Sequence, residues 1–494
     1  MSQIAAAAPE SVPTVAETEL KAGALRLPGV LMQSVTNIAP AIAVLFTIGF
    51  NTALAGVTAP LTYLIALFIA VSLAIVLTQF ARHLPSAGSY FTFTSRTVSP
   101  VFGWMVAWMY FLYVPIIGAQ IGDGMGSVVQ ELTKSNWGFT FPWWLFLGLL
   151  TVIVAAVAYR GIELSTTLVI IFGLVEITII TSLAITGLLT PGPGGFNVHG
   201  FDPGHIHGLS NFSLAIIFSI FAVGGWDAAA TLGEESENPR RTIPRAVLGA
   251  VIIIGLYLIF CVWGLQVGWG TNNLGALANS TLLPGLAAAK HIWGGAWVIA
   301  LIALINSVIA VAIVCMTMTT RIWYAMGRIG ALPRPLGKVH PKYKTPVNAI
   351  AVQTLVTIIL GFGVGFWFGP SDVYNVTGLM NLFALIPVYL IANYGIVRMY
   401  RGEFKNEFNI GLHVIAPLIG SAGLLYLLYK SLNPFPASPT KWAPIIVAVW
   451  LVLGLIITSI MWRLGKQKWL LKAGQAAHER PETSQELRDH IAGL

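Results

Sequence analysis

Twelve long blocks of apolar residues, separated by short polar segments, dominate this 494-residue sequence. Only 9 % of the residues are charged and 56 % are hydrophobic, whereas soluble domains carry about 25 % charged residues. A helix needs about 20 mainly apolar residues to cross a bilayer, where only helices and closed barrels satisfy the backbone. Because the blocks lack the alternating pattern of barrel strands, the sequence predicts an all-α membrane protein with about 12 transmembrane helices.

The apolar blocks define twelve predicted helices, which we number spans 1 to 12. They cover residues 28–54, 58–80, 101–130, 142–159, 165–189, 211–233, 246–268, 296–325, 347–369, 374–397, 411–430 and 442–463. Before them, residues 1–24 lack the basic start of a signal peptide and predict a disordered cytoplasmic tail. Residues 464–494 predict a second cytoplasmic tail.

Lysine and arginine fall mostly on one side of this predicted membrane arrangement. With both termini inside, 23 of the 27 lie in cytoplasmic segments, and the outer side holds Lys134, Lys290, Lys430 and Lys441. Cytoplasmic loops of membrane proteins are enriched in such residues. The distribution predicts a multi-pass protein of the inner (plasma) membrane, surrounded by lipid, with both termini cytoplasmic. The basic excess therefore reflects topology, and nucleic acid is not an expected partner.

Two spans contain residues that interrupt a helix deep inside an apolar block. Span 1 has the run from Asn37 to Pro40, and an interior proline removes a hydrogen bond and clashes with the preceding turn. Span 6 has Gly224 and Gly225, and paired glycines lower the cost of unwinding. Each feature alone is compatible with a simple kink. Their corresponding positions in two halves favour discontinuous helices around a binding site at the bilayer midplane.

Three motifs carry a family resemblance. Residues 224–227 read Gly-Gly-Trp-Asp, and residues 233–241 read Gly-Glu-Glu-Ser-Glu-Asn-Pro-Arg-Arg, within the longer motif 221–245. Residues 84–90 read Leu-Pro-Ser-Ala-Gly-Ser-Tyr, and residues 321–334 begin Arg-Ile-Trp-Tyr-Ala-Met-Gly-Arg, with Lys-Thr-Pro at 344–346. In this order, over roughly residues 25–460, they resemble the amino acid–polyamine–organocation (APC) transporter superfamily.

The resemblance implies a LeuT-type fold. In that fold two inverted five-helix repeats, here residues 25–190 and 211–400, surround discontinuous helices 1 and 6, and two extra helices follow in residues 411–463. It also implies a permease that works as a secondary active transporter by alternating access, usually on amino acids or amines, as a symporter or antiporter.

The sequence departs from the superfamily's pattern at two positions. Where members often have a Gly-Ser-Gly-like stretch in helix 1, this chain has Pro40-Ala41-Ile42, whose side chains narrow the approach to the backbone amides. Where many members have a coupling lysine in span 5, this chain has Glu176. A lysine-based coupling scheme therefore cannot be transferred to this protein.

Three acids inside the spans are candidates for coupling or gating, because an acid at the bilayer centre costs at least about 2.5–3.5 kcal/mol on insertion scales. They are Asp123, Glu176 and Asp227. The structural alternatives are a water-exposed helix end for Asp123, a carboxyl bonded to a neighbouring helix for Glu176, and a cap on the broken helix for Asp227. We expect a proton to be the coupling ion, with Glu176 or Asp227 as its carrier.

The predicted substrate site lies between spans 1, 3, 6, 8 and 10. Its residues are predicted to be Asn37, Pro40, Ala41, Ile42, Ala43, Ile117, Gly118, Phe221, Ala222, Gly224, Gly225 and Trp226. The positive end of the helix that follows Pro40 would face a carboxylate. Free carbonyls before Gly224 would face an ammonium group, and Phe221 would close over the site as a gate.

Further polar groups leave alternatives open. Sodium could bind near the hydroxyls of Thr317, Thr319 and Thr320, although threonines also bond back to their own helix. An outer loop places His199, Asp202, His205 and His207 together, but such glycine-rich loops are usually solvated, and no metal site is predicted. At the inner mouth, three acids beside three arginines predict a gate of salt bridges, or merely a solvated loop: Glu234, Glu235, Glu237, Arg240, Arg241 and Arg245.

Other classes of function find less support. The sequence has no phosphate-binding Gly-Lys-Ser/Thr loop and no constellation of nucleophile, base or metal ligands, so neither ATP-driven transport nor an enzyme is predicted, and no cofactor is expected. A channel or a transporter-derived sensor remains an alternative. We expect a small amino acid or amine as substrate and a monomer or homodimer as the functional unit.

Overall fold

The computed structural model describes residues 20–328 and 330–463. Twelve of its helices are long and apolar enough to cross a membrane, in agreement with the predicted count. Span 1 comprises Leu27–Asn37, Pro40–Leu45 and Thr47–Ala55, and span 6 comprises Leu209–Val223 and the 3-10 helix Trp226–Leu232. The other spans are Ala59–His83, Pro100–Trp137, Trp143–Arg160, Ile162–Leu189, Pro239–Trp269, Val298–Arg328, Val347–Phe368, Pro370–Gly402, Gly411–Leu432 and Trp442–Arg463.

Both predicted interruptions are confirmed as true breaks rather than kinks. In span 1 the helix ends at Asn37, Ala39 adopts a left-handed conformation with φ 55°, and Pro40 opens the next helix. In span 6 the helix ends at Val223, and Gly225 has φ 113° before a tighter 3-10 helix begins. Proline is favourable at a helix start because that position needs no N–H donor, so Pro40 ends one helix and begins another.

Close packing of small residues holds the bundle together. Spans 2 and 7 lie along each other, as do spans 3 and 10. Where spans 5 and 7 cross, Gly187 lies directly against Gly264, with no room for a side chain between them. Small residues let helix backbones approach closely in lipid, where van der Waals packing replaces the hydrophobic effect. The breaks in spans 1 and 6 are thereby held inside a rigid scaffold.

The end of the predicted N-terminal tail differs from the structure. Residues 1–19 and the predicted tail 464–494 lie outside the described residues. Leu20, however, is buried against Ala87, Tyr324 and other residues, and Lys21 pairs with Glu163 at 2.6 Å. The described end of the predicted tail is therefore attached to the bundle through Leu20 and the Lys21 ion pair, while residues 21–23 are exposed.

Several local features had no predictive signal. Short helices at Tyr90–Thr97 and Pro284–Trp293 connect spans, and span 9 contains a π-helical segment at Ile359–Val364. Such π segments are rare and widen the backbone locally. The boundaries of the two repeats remain a prediction.

Candidate functional site

The two helix breaks touch each other. The side-chain amide of Asn37 donates to the carbonyl oxygen of Gly225 at 2.7 Å. The Ser34 hydroxyl donates to the Trp226 carbonyl at 2.5 Å and accepts from the Ala229 N–H at 3.1 Å. A side chain at Gly225 would place its Cβ 2.8 Å from the Asn37 carbonyl oxygen. Polar groups freed by one break are thus satisfied by the other, and only glycine fits at the contact.

Glu176 reaches the start of the helix that follows Pro40. Its Oε2 accepts the backbone N–H of Ala41 at 3.1 Å, and its side chain is fully buried (0 % exposed). Ser307 of span 8 lies beside the same carboxyl, while Oε1 has no hydrogen-bond partner among the described residues. The helix start that was predicted to face a substrate carboxylate therefore faces a carboxyl group of the protein itself.

Asp227 lies just beyond the span 6 break, in an aromatic surround. It is 0 % exposed, and its Oδ2 accepts the Tyr110 hydroxyl at 3.2 Å. Oδ1 has no partner in the described part of the chain. Tyr90, Tyr113 and Tyr389 lie around the same carboxyl. This carboxyl therefore lies buried among tyrosine side chains, one of which donates a hydrogen bond to it.

Asp123 is also buried but belongs to a different part of the bundle. It is 0 % exposed, so the predicted alternative of a water-exposed helix end is wrong. Helix packing closes over it: a Cβ on Gly365 of span 9 would lie 3.4 Å from its Oδ1. Neither carboxyl oxygen has a hydrogen-bond partner among the residues described. The structure does not bring Asp123 to the two breaks.

Of the two predicted substrate-site residues on span 3, Gly118 lies against span 9. A Cβ on Gly118 would lie 3.1 Å from the Thr357 hydroxyl of span 9, and Gly118 lines a small pocket there together with Cys315. The Cys315 thiol in turn donates to Asn37 Oδ1 at 3.4 Å, so the pocket adjoins the breaks without opening onto them. Ile117 is half-buried against the core. Helix rotation, which the apolar pattern of span 3 does not specify, decides this orientation.

Phe221, the predicted gate, is not closed over the breaks. Its side chain is 44 % exposed. Phe218, one helical turn earlier, is also exposed, and its ring stacks on Phe50 of span 1 with ring centroids 5.3 Å apart. The next residue, Ala222, is buried, as are Ala41 and Ala43 of span 1, and Ile42 is half-buried. The site assignment itself remains a prediction.

The ion pairs beside the span 6 motif use other arginines than those predicted. Glu235 pairs with Arg321 through two bonds of 3.0 and 3.1 Å, and Glu234 pairs with Arg328 at 2.9 and 3.0 Å. Glu237 pairs with Arg26 at 3.2 Å. The predicted partners are instead exposed: Arg240, Arg241 and Arg245. Asn238, with φ 46°, and Pro239 turn the chain into span 7 and carry these three arginines away from the acids.

Comparison with known proteins identifies the family. The family model described as amino acid permease matches residues 29–471. The chain belongs to the amino acid permease family, within the APC superfamily. Its relatives in this family are transporters and not enzymes.

Three curated relatives are similar to this permease over most of their length. It is 25 % identical over 400 residues to the low-affinity putrescine importer PlaP of Escherichia coli strain K12, covering 78 % of this chain and 83 % of the relative. It is 26 % identical over 433 residues to the branched-chain amino acid permease BcaP of Bacillus subtilis strain 168, covering 83 % and 86 %. The serine/threonine exchanger SteT of the same strain is 23 % identical over 376 residues, covering 72 % and 79 %.

The three motifs that resemble the superfamily meet at one end of the permease. The Ala87 N–H of the first motif donates to Glu234 Oε1 at 3.4 Å, and Glu234 belongs to the second motif. Arg321 and Arg328, which pair with that motif, come from the third. Ahead of span 1, Leu25 bonds through its backbone to Glu235 and Glu237 at 2.9 and 2.8 Å. The presence of Arg321 and Arg328 in a motif was the available signal for these ion-pair partners.

The remaining polar clusters behave as local structure. The hydroxyls of Thr317 and Thr320 bond back to carbonyls of their own helix at 2.9 and 2.8 Å, as the alternative to a sodium site predicted. In the outer loop, Asp202 accepts the Gly204 N–H at 2.8 Å, and this bond lowers the pKa of the Asp202 carboxyl. Across the described ranges 20–328 and 330–463, no three His, Cys, Asp or Glu side chains come together as a metal site requires.

Proposed function

We propose that this permease moves a small amino acid or organic amine across the plasma membrane by alternating access, around the paired breaks of spans 1 and 6. The observation that carries the proposal is the contact of Asn37 with Gly225, which joins the two breaks at 2.7 Å. Discontinuous helices expose backbone groups that bind substrates at the midplane of secondary transporters. Relatives named for putrescine, branched-chain amino acids and serine or threonine support the substrate range.

The proposed gate is the two salt bridges that join span 8 to the end of span 6, one of them fully buried and the other partly exposed. Glu235–Arg321 and Glu234–Arg328 close the end of the bundle that carries most of the basic residues. The positive-inside rule assigns that end to the cytoplasm, with both termini there. Opening toward the cytoplasm would separate these pairs, while the exposed Phe221 lies toward the opposite end of span 6. We propose the repeats 25–190 and 211–400 as the two elements that move, in a monomer or homodimer.

A proton is the proposed coupling ion. Glu176 and Asp227 are each fully buried, and one carboxyl oxygen of each has no hydrogen-bond partner among the described residues. Spans 5 and 6 contain no lysine or arginine; Arg160 and Arg240 lie just outside them. Desolvation disfavours a charged carboxylate, so each acid exchanges a proton readily when its surroundings change. Sodium is the rival, since Thr319 has a buried hydroxyl without a partner in the described structure.

Reconstituted vesicles test this function. Radiolabelled amino acids and amines are offered as mixtures, with either a proton gradient at zero sodium or a sodium gradient at equal pH. We expect saturable uptake that follows the proton gradient, and we expect Glu176→Gln or Asp227→Asn to lose that dependence. Glu163→Gln, an exposed acid at the end of span 5, is the matched control and should keep it. Uptake that needs sodium and ignores the proton gradient would overturn the proton assignment, and conduction without saturation would favour a channel.

A further inference from the structure

The start of the second helix of span 1 has few N–H groups left for a ligand. Pro40 has no N–H, and the Ala41 N–H is bonded to Glu176 at 3.1 Å. The Ala43 N–H is bonded to the Ala39 carbonyl at 2.8 Å. At most the N–H of Ile42 remains. A substrate carboxylate, which needs several convergent donors in a dry site, therefore meets one donor at this helix start.

Glu176 is held in this position and cannot be displaced easily. Hydrogen bonds fix span 5 on both sides. On one side, Gln33 of span 1 donates to the Thr166 hydroxyl at 3.0 Å, and Thr36 donates to the Val169 carbonyl at 3.3 Å. On the opposite side, Asn306 of span 8 donates to the Phe172 carbonyl at 2.7 Å. Whether charged or neutral, the Glu176 carboxyl occupies the Ala41 N–H. When Glu176 is ionised, its Oε1 oxygen, which has no hydrogen-bond partner among the described residues, would also repel an approaching carboxylate.

The second break adds a second acid and no cation. Asp227 presents the partnerless Oδ1 oxygen in a surround of tyrosine rings. In span 8, the described basic residue nearest to these breaks is Arg321, and it is already paired with Glu235. Two buried acids flanking the breaks are thus left for a positively charged ligand to neutralise, since buried charges are normally paired.

We propose that the substrate is an organic amine without a carboxylate, such as an aliphatic diamine, rather than an amino acid. This inference rests on the proposed transport function and deepens it by naming the substrate class. Ammonium groups donate to Glu176 Oε1 and Asp227 Oδ1, the two carboxyl oxygens that have no hydrogen-bond partner among the described residues.

Amino acids and their decarboxylation products form a matched test series. Each pair differs by one carboxylate: ornithine and 1,4-diaminobutane, lysine and 1,5-diaminopentane, leucine and 3-methylbutylamine. Binding of each is measured on the full chain in lipid nanodiscs, by calorimetry and by shift of the melting temperature. We expect the amine to bind about tenfold or more tightly in every pair, since a buried polar group left unmatched strongly penalises the wrong ligand. Equal or tighter binding of the amino acids would overturn the inference while leaving the transport function standing.

A variant links the preference to Glu176. Glu176→Gln removes the charge but keeps the size, so amine affinity should fall and the difference within each pair should shrink by about tenfold or more. Glu163→Gln on the same helix should leave the difference unchanged. An unchanged preference in folded Glu176→Gln protein would overturn the role of this carboxyl. If neither amines nor amino acids bind the wild-type protein, the proposed function itself fails, a result distinct from a reversed preference.

Discussion

Arg321 and Glu235 form a two-pronged ion pair that joins span 8 to the end of span 6, with bonds of 3.0 and 3.1 Å and side chains only 2 % and 1 % exposed. Two charges removed from water in this way are stable only as a pair. Opening this end of the permease requires both groups to find other partners or water together. The pair therefore couples the closed arrangement of the motifs to the position of the broken helix 6.

Three acids at different depths form a graded stability series. Glu235→Gln leaves Arg321 buried without its counter-charge and should lower the free energy of unfolding by about 3–5 kcal/mol. Glu234→Gln acts on a pair whose arginine is 32 % exposed and should cost about 1.5–3 kcal/mol. Glu163→Gln breaks a pair that is 52 % and 61 % exposed and should cost about 0–1 kcal/mol. Chemical unfolding of the three purified variants in one detergent measures the order, and a cost for Glu235→Gln no larger than for Glu163→Gln would contradict it.

Gly224 and Gly225 at the second break differ in backbone conformation, so the same substitution at each position should have different effects. Gly225 has φ 113°, and an added Cβ would lie 2.8 Å from the Asn37 carbonyl oxygen, so Gly225→Ala must push the two breaks apart. We expect uptake to fall by about tenfold or more, since small misplacements of positioned groups cost this much. Gly224 has φ −65°, which any residue adopts, and an added Cβ would lie 3.1 Å from the Phe221 carbonyl oxygen, so Gly224→Ala should reduce uptake less than Gly225→Ala. Size-exclusion profiles check that both variants stay folded.

The helices and their breaks could be predicted from the sequence, because apolar length and the placement of Pro40 and Gly225 act locally. The partners of the gate acids could not. Glu235 lies 86 residues from Arg321, and only the packing of span 8 against span 6 selects Arg321 over the nearer Arg241. Proximity in sequence suggested the wrong arginines, since the turn at Asn238 lies between them.

For the candidate site too, some features could be predicted from the sequence and others could not. Glu176 was recognisable as a buried acid in place of a lysine, yet its contact with the Ala41 N–H depends on the rotation of span 5 about its axis, which the uniformly apolar surface of that helix does not specify. The orientation of Gly118 on span 3 depends in the same way on the rotation of its own helix. Phe221 could be placed near the break, but whether it is closed or open depends on the conformational state.

Asn37 should be essential to the contact between the breaks. Asn37→Ala removes the donor to the Gly225 carbonyl, and leaving that buried acceptor without a partner should cost about 1–3 kcal/mol. Asn37→Asp keeps the size but cannot donate when ionised, so it should be at least as damaging. Cys315 donates only a long 3.4 Å bond to the same side chain, and Cys315→Ser should be nearly neutral. Melting temperatures of the three variants decide the matter, and loss of stability in Cys315→Ser alone would contradict this account.

The charge distribution predicts the orientation of the chain in the membrane. A fluorescent reporter that matures only in the cytoplasm, fused after Leu494, should be active. A phosphatase that is active only outside should be inactive at the same position. The opposite pattern would mean either that the whole bundle is inverted, with the three convergent motifs on the outer side, or that the chain crosses the membrane an odd number of times, in conflict with the twelve spans of the structure.

Asp123 should affect the rate of the transport cycle more than substrate affinity. It lies away from the two breaks, close to Gly365 of span 9, and its neighbour Gly124 packs under the ring of Tyr374 in span 10. That ring in turn lies 5.7 Å from the ring of Phe46 in span 1, so the segment around Asp123 contacts helices that must shift during alternating access.

Asp123→Asn keeps the shape of the side chain, and we expect the KM for uptake to stay within about twofold while the maximal rate changes by about tenfold, as for an interaction absent from the ground state. Asp123→Leu, which removes the polar group entirely, should be no less stable than wild type, because replacing a buried group without a partner by an apolar one relieves its desolvation. A KM raised in proportion to the loss of rate would instead assign Asp123 to the substrate site.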